Sequence, residues 1–300
     1  MTSVVRDASL LAHRPARRPG LARRGKLRPS VPASYLVALV IVAITLVPML
    51  YVIVGGFRTT AQLNVAPTGL PHPWVWQNYK SILTSATFWQ NLGNSALISI
   101  VVTALAVGLG AMASFALSRY KFPGREAWYL VFAVGLLFPA NVASLPVYFL
   151  DKQIHLLDSW LGVALPEAAF ALPITIIILR PFMRAVPGEL EDAAVVDGAT
   201  RLTFFLKILI PLAKPAMMTV AVLAFVTSWN AYLLPLLVFT TPTHFTLPLG
   251  VATFQSTYSQ DTASVFAFTA LSMLPALAFF VLAQRRIVGG LSGLAGAVKG

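Results

Sequence analysis

Few residues of this 300-residue chain are of types that do chemistry, and they fall into two sets. The first set interrupts long apolar runs: Asn141, Glu167, and a cluster of Ser228, Trp229, Asn230 and Tyr232. A carboxylate at membrane depth is costly, so Glu167 has to face a bundle interior, a cavity or a partner. There it serves either as a polar group on a solute path or as a packing carboxylate bonded to Ser, Thr or backbone. Asn141 and Asn230 carry the same two readings, because neutral amides also knit helices together. The second set is the stretch PGELEDAAVVDGATRLTFFLKILIPLAKP, Pro187 to Pro215, a charged, helix-forming insert between two apolar runs.

Catalytic patterns are missing. The four histidines, His13, His72, His155 and His244, are not at metal-ligand spacing with one another. There is no P-loop, GxSxG or HExxH pattern. With no cysteine, disulfides, thiolate metal sites and a Cys nucleophile are excluded. An integral-membrane enzyme would need clustered His, Asp or Glu at the membrane surface, which the sequence lacks. The expectation is a non-enzymatic chain with no catalytic residue, metal or cofactor of its own.

Composition decides the solvent. The chain is 57% hydrophobic and 11% charged, with a mean hydropathy of +0.77, against about 25% charged residues in an ordinary soluble domain. So few charges cannot cover a globular surface, and most of it must face lipid or apolar protein. The net charge is +12. The basic residues sit at the ends of apolar runs and form no stripe with interleaved aromatics, which argues against nucleic acid.

Spanning a hydrocarbon core of about 30 Å takes roughly 20 apolar residues as helix. Six runs suffice: Tyr35–Phe57, Ala96–Leu117, Ala127–Leu150, Trp160–Leu179, Met217–Phe239 and Ala263–Ala283. The first is too long for a signal-peptide core and reads as a retained anchor. With the N-terminus in the cytoplasm, 19 of the 22 Lys and Arg residues fall on the inside. The expected fold is therefore an all-α, six-span integral membrane protein with both termini, and the 187–215 insert, cytoplasmic. Residues 1–32 read as a basic tail, 33–284 as the membrane domain and 285–300 as a C-terminal tail. Ala106, Gly110 and Ser114 share one face of the second span and suit close helix packing. Pro139 and Pro146 predict a bent or broken third span, and Pro166 and Pro173 repeat the theme in the fourth.

The insert reads as two short helices. Pro187 fits a helix start. Glu189, Glu191 and Asp192 complement the positive end of the helix dipole. Gly198 ends the first helix and Thr200 caps the second. Leu202, Phe205, Ile208 and Leu209 predict an apolar face, and Pro211 is expected to stop the helix. The acidic face of Glu189, Glu191, Asp192 and Asp197 would be unwelcome beside anionic lipid, so it points to a protein partner rather than an interfacial loop.

The spacing Asp192-Ala193-Ala194, Gly198, Ile208-Leu209-Ile210-Pro211 resembles the EAA loop of ABC-importer permeases, with Asp for Glu and Ile for Leu. The adjoining Asp197-Gly198-Ala199 is also similar to that family. Asn78-Tyr79, Asn94-Ser95, Trp229-Asn230, Leu234-Pro235-Leu236, Thr246-Leu247-Pro248-Leu249-Gly250 and the ending Gly296–Gly300 resemble its maltose-type, sugar-importing branch. The resemblance covers nearly everything after about residue 33 and implies a type I importer permease of the cytoplasmic membrane. Such a subunit pairs with a second homologous permease, sits on two ATPase subunits and receives sugar from an extracytoplasmic solute-binding protein. It implies ATPase docking through Glu189, Glu191, Asp192, Ala193, Ala194, Asp197, Gly198, Ala199, Ile208 and Pro211. Asn141, Glu167, Trp229, Asn230 and Tyr232 become candidates for the sugar path. A permease for a polyol or glycerol phosphate, and an ATP-independent secondary transporter, stay open as alternatives.

Overall fold

The computed structural model describes residues 31–254 and 261–297. The chain divides into two units, residues 1–47 and 48–300. In the first, the described backbone belongs to helix α1 (Val31–Gly55). Its threonine, Thr45, donates its hydroxyl back to the Ile41 carbonyl at 2.9 Å, which satisfies that hydroxyl on an apolar helix.

The second unit takes the rest of α1 and then α2 (Thr60–Val65), α3 (Gln77–Leu83), α4 (Ala86–Arg119), α5 (Arg125–Gly135), α6 (Ala140–Gln153) and α7 (Trp160–Arg184). It continues with α8 (Gly188–Val196), α9 (Arg201–Phe204), α10 (Ile210–Trp229), α11 (Leu233–Val238), α12 (Leu247–Gly250) and α13 (Thr262–Ala297). Among the described residues, five helical segments are long and apolar enough to cross a membrane, and there are six where α5 and α6, bent by 99°, count as one broken span. The described residues contain no strand, as expected where every backbone N–H and C=O must be satisfied within its own segment.

The third span breaks at residues 136–139, as Pro139 predicts. Other boundaries differ from the sequence reading. The fourth stays one helix despite Pro166, Pro173 and Pro181. The fifth is displaced: its helix ends at Trp229, and residues 233–238 form the separate α11. After the sixth span the backbone remains helical through Ala297. Residues 1–30 of the basic tail and residues 298–300 of the C-terminal tail lie outside the described residues.

The core is the α4–α7 contact, with α10 laid against both. Ala106, Gly110 and Ser114 are buried there, as their spacing predicts. Thr175 donates its hydroxyl to the Ala171 carbonyl at 2.8 Å, which leaves its methyl against Gly110, where any Cβ would overlap it. One apolar cluster (Phe115, Leu179, Met183, Phe204, Leu209) joins these helices to the 187–215 segment. Another (Phe88, Phe225, Trp229, Leu247, Phe268) joins α4 and α10 to α13.

The opposite end is tied by side chains bonding to loop backbone. The Asn78 amide donates to the carbonyls of Gly56 and Arg58 at 2.9 and 2.8 Å. The Tyr79 hydroxyl donates to Ile53 at 2.7 Å, and burial pushes this phenol up to about 12. Asn94 donates to the carbonyls of Thr243 and Phe245, while Ser95 accepts from the Leu247 amide. Asp158, at φ 56°, accepts from the Thr241 hydroxyl and from the amides of Thr240 and Thr241, and lies 3.1 Å from His244. The Thr241 hydroxyl, with those amides and His244, holds its carboxyl well below the usual carboxylate range despite the opposing effect of burial.

Gly110→Val is expected to cost about 1–3 kcal/mol by overpacking and to lower the thermal unfolding midpoint in detergent. Gly108→Val, on the same helix but with open space at its Cβ, is expected to leave the midpoint unchanged; equal effects would refute this account of the α4–α7 contact.

Candidate functional site

Two interruptions of helix converge on one cavity. The first follows α5. Pro139 cannot continue a helix and disfavours helical geometry in the residue before it, and it becomes the extended N-cap of α6 at φ −71°, ψ 115°. The second follows Trp229, where Asn230 caps α10 and donates its side-chain amide to the Val226 carbonyl at 2.8 Å. Tyr232 then turns the chain into α11 at φ −124°, ψ −51°. Between these breaks lies a cavity of about 530 Å³ bordered by α4, α6, α7 and α10, with Asn141, Glu167, Asn230 and Tyr232 on its wall.

Glu167 reaches across from α7 to α10. Its Oε2 accepts a hydrogen bond from the Ser228 hydroxyl, and its Oε1 is buried without a hydrogen-bond partner. Thr227, Ser144 and Phe170 complete the polar and aromatic part of the wall, and among the described residues no Lys, Arg or His lines it. The cavity thus offers a carboxylate, amides and hydroxyls beside aromatic rings, a set that hydrogen-bonds and stacks with a hydroxylated solute.

Trp229 does not join the other four. It is buried, stacked on Phe225 with ring centroids 5.5 Å apart, and its indole N–H donates to Ser272 of α13 at 3.3 Å. Thr227 and Ser228 face the cavity, and the next residue, about 100° further round the helix, turns to α13. Ser144 went unnoticed in the sequence; it lies three residues beyond Asn141 and so on the same face of α6.

The 187–215 segment is the second candidate site. Pro187 is the N-cap residue of α8 at ψ 142°. The helix ends with Gly198 at φ 79°. Gly198 N–H donates to Val195, and Ala199 N–H reaches back to Ala194 at 2.8 Å, the paired bonds of a Schellman close. The Thr200 hydroxyl then accepts from the Thr203 amide at 3.2 Å and caps α9. The elbow follows the sequence reading, but its exit does not. Pro211 fails to stop the helix. A π turn over Phe205–Leu209 puts the ladder one residue out of step. Pro211 therefore enters at the second position of α10, where its missing donor matters least. From Arg201 to Trp229 the chain is one helical span.

Glu189, Asp192, Ala193, Asp197, Gly198 and Pro211 are exposed, Ala194 is buried, and Glu191, Ala199 and Ile208 are half-buried. Leu202, expected on the apolar face, points outward, and Phe204 is buried instead. Val195 and Val196, 62% and 87% exposed, give the acidic helix an apolar edge that periodicity alone did not show. Glu191 faces inward, its carboxylate 3.7 Å from the Arg119 guanidinium.

Residues 106–292 match the family described as binding-protein-dependent transport system inner membrane component. The chain belongs to this family. It is accordingly a multi-pass inner-membrane transport subunit. It is 35% identical over 251 residues to the diacetylchitobiose uptake system permease protein NgcG of Streptomyces coelicolor, covering 83% of each chain. It is also 35% identical over 262 residues to the trehalose transport system permease protein SugB of Mycobacterium tuberculosis, covering 87% of this chain and 94% of that one. A crystal structure of a bacterial ABC transporter involved in import of the acidic polysaccharide alginate superposes with a TM-score of 0.71 at 21% identity, over 84% of this chain and 94% of that one. That likeness places the helical arrangement above in the permease fold.

Tyr232→Phe and Asn230→Ala are expected to reduce solute uptake severalfold with little change in thermal midpoint. Trp229→Ala removes a buried aromatic and is expected to lower stability by about 3–5 kcal/mol. Uptake and midpoint, measured side by side, check the division; unaffected uptake in both cavity variants would demote them to packing.

Proposed function

We propose that this permease is one membrane subunit of an ATP-driven importer that moves a sugar or oligosaccharide through the cavity at Glu167. In this reading it pairs with a second homologous permease, and a solute-binding protein delivers the sugar from outside. Two separate ATPase subunits grip the 187–215 segment from the cytoplasm, with both termini on that side. The carrying observation is mechanical: the exposed elbow at Gly198 runs through α9 and the π turn into α10, whose far end lines the cavity. A displacement of the elbow is therefore delivered by continuous helix to the wall beside Ser228 and Asn230.

An ATPase drives transport only if it binds two permease conformations with different free energies. Asp192, Glu189, Asp197 and the exposed valines provide a mixed acidic and apolar surface on which that difference can act. Sugar as the solute is supported by the names of the diacetylchitobiose and trehalose relatives and by the hydroxyl-matching cavity wall. The lack of a cationic side chain among the described residues of that wall favours a neutral sugar over glycerol phosphate.

Asp192→Lys is expected to abolish co-purification of the ATPase and sugar uptake, with membrane insertion retained. At Gly198, a Cβ has open space but the φ of 79° does not suit it. Gly198→Asn, which tolerates this geometry, is expected to keep partial uptake, and Gly198→Val to lose it. Uptake at the unmodified level in Asp192→Lys would refute docking at this segment.

A further inference from the structure

The geometry points to Arg119 as the positioning residue that locks the docking helix α8 to the membrane bundle. The inference rests on the docking role proposed for the 187–215 segment, and it reassigns Glu191 from the ATPase surface to an internal clasp. Arg119 is the last residue of α4, and its side chain is only 8% exposed. Its guanidinium donates to the carbonyls of Met183 and Val186 at 2.9 and 2.7 Å. Met183 belongs to the last turn of α7 and Val186 to the link into α8, so these bonds satisfy carbonyls that a helix end leaves bare. The same group lies 3.7 Å from Glu191 on α8 and 5.9 Å from the centre of the Phe204 ring on α9. One side chain thus touches the ends of α4 and α7 and both arms of the elbow.

A planar guanidinium with several fixed donors can serve these partners together, which a lysine ammonium on a flexible stem cannot. Consequently α8 and the adjoining end of α4 move as one body. A push on α8 then reaches the cavity by a second path besides α10. Val102, on the cavity wall, sits 17 residues up α4 from Arg119, about 26 Å at 1.5 Å per residue. Glu191 differs from Asp192 in this respect: the half-buried carboxylate holds the helix in place, and the exposed one is left for the partner.

This chain has no cysteine of its own, so the two introduced cysteines are its only thiol labels. Spin labels at Leu190→Cys on α8 and Met112→Cys on α4, both exposed positions outside the proposed docking surface, are read by pulsed dipolar spectroscopy. The sample is the complete transporter in nanodiscs, with and without a non-hydrolysable ATP analogue. With Arg119 and Glu191 intact, one narrow distance that nucleotide leaves unchanged is expected. In Glu191→Gln and Arg119→Lys the nucleotide-free distribution is expected to broaden, and nucleotide to shift it by about 2 Å or more, while the ATPase still co-purifies. Glu191→Gln added to Arg119→Gln should add nothing, because the two residues form one interaction. The proposal is overturned if both single variants keep the narrow, nucleotide-independent distance. It is equally overturned if Glu191→Gln sheds the ATPase as Asp192→Lys does, which would make Glu191 a direct contact. The nucleotide-free width reads the clasp alone, and ATPase retention in Asp192→Lys reads docking, so failure of one is distinguishable from failure of the other.

Discussion

A backbone N–H or C=O in hydrocarbon has no water to bond, and this one cost organises the molecule. It requires helix wherever the chain meets lipid, and it permits irregular backbone only against protein or a cavity. Both interior interruptions obey the rule. The break before Ala140 and the turn through Asn230–Tyr232 border the same cavity. The cavity and the tolerated breaks are two aspects of one arrangement, because the chain can leave helical geometry only where something other than lipid accepts its polar groups. Glu167 lies there for the same reason, with Ser228 satisfying one carboxylate oxygen.

At the end that carries the 187–215 segment a different rule applies. Cationic side chains close the helix ends that the spans leave open. Arg119 covers the carbonyls of Met183 and Val186. Arg180, also buried, donates to the Leu117 carbonyl at 3.1 Å, pairs with Glu126 and lies 4.0 Å over the Tyr129 ring. The last turns of α4 and α7 are therefore held together by guanidinium groups, and the elbow around Gly198 is mounted on that base. The opposite end holds its connecting loops with the amides and hydroxyls of Asn78, Tyr79, Asn94 and Ser95, together with the Arg58 guanidinium and the Asp158 carboxylate. The Asn78-Tyr79 and Asn94-Ser95 pairs that carried the family resemblance thus have structural work as loop anchors.

The family assignment and the geometry meet at the α8–α9 elbow. Its exposed acidic and apolar surface is the part best suited to a soluble partner, and it is continuous with a helix that lines the cavity. The π turn is the one irregularity on that path. It lets Pro211 sit inside a continuous span, and it keeps the elbow and the cavity wall mechanically joined.

Local interactions are what the sequence by itself determined. Six spans follow from apolar length, the Gly198 elbow from an αL close and a threonine cap, and the broken third span from Pro139, all within a few residues of chain. The α4 packing face was equally legible, since Ala106, Gly110 and Ser114 recur at helical spacing. Only the tertiary structure decided which way each polar residue faces and what it meets. Glu167 finds Ser228 61 residues away, Arg119 finds Val186 67 residues away, and Trp229 turns from the cavity to Ser272 of α13. Such pairings depend on the rotation of each helix about its axis as the bundle packs, which the whole set of neighbours decides together. Pro211 shows the same limit. Its cost to an α-ladder is local and predictable, but the π turn that accommodates it is stabilised by packing of Phe205 and Leu209 in the core.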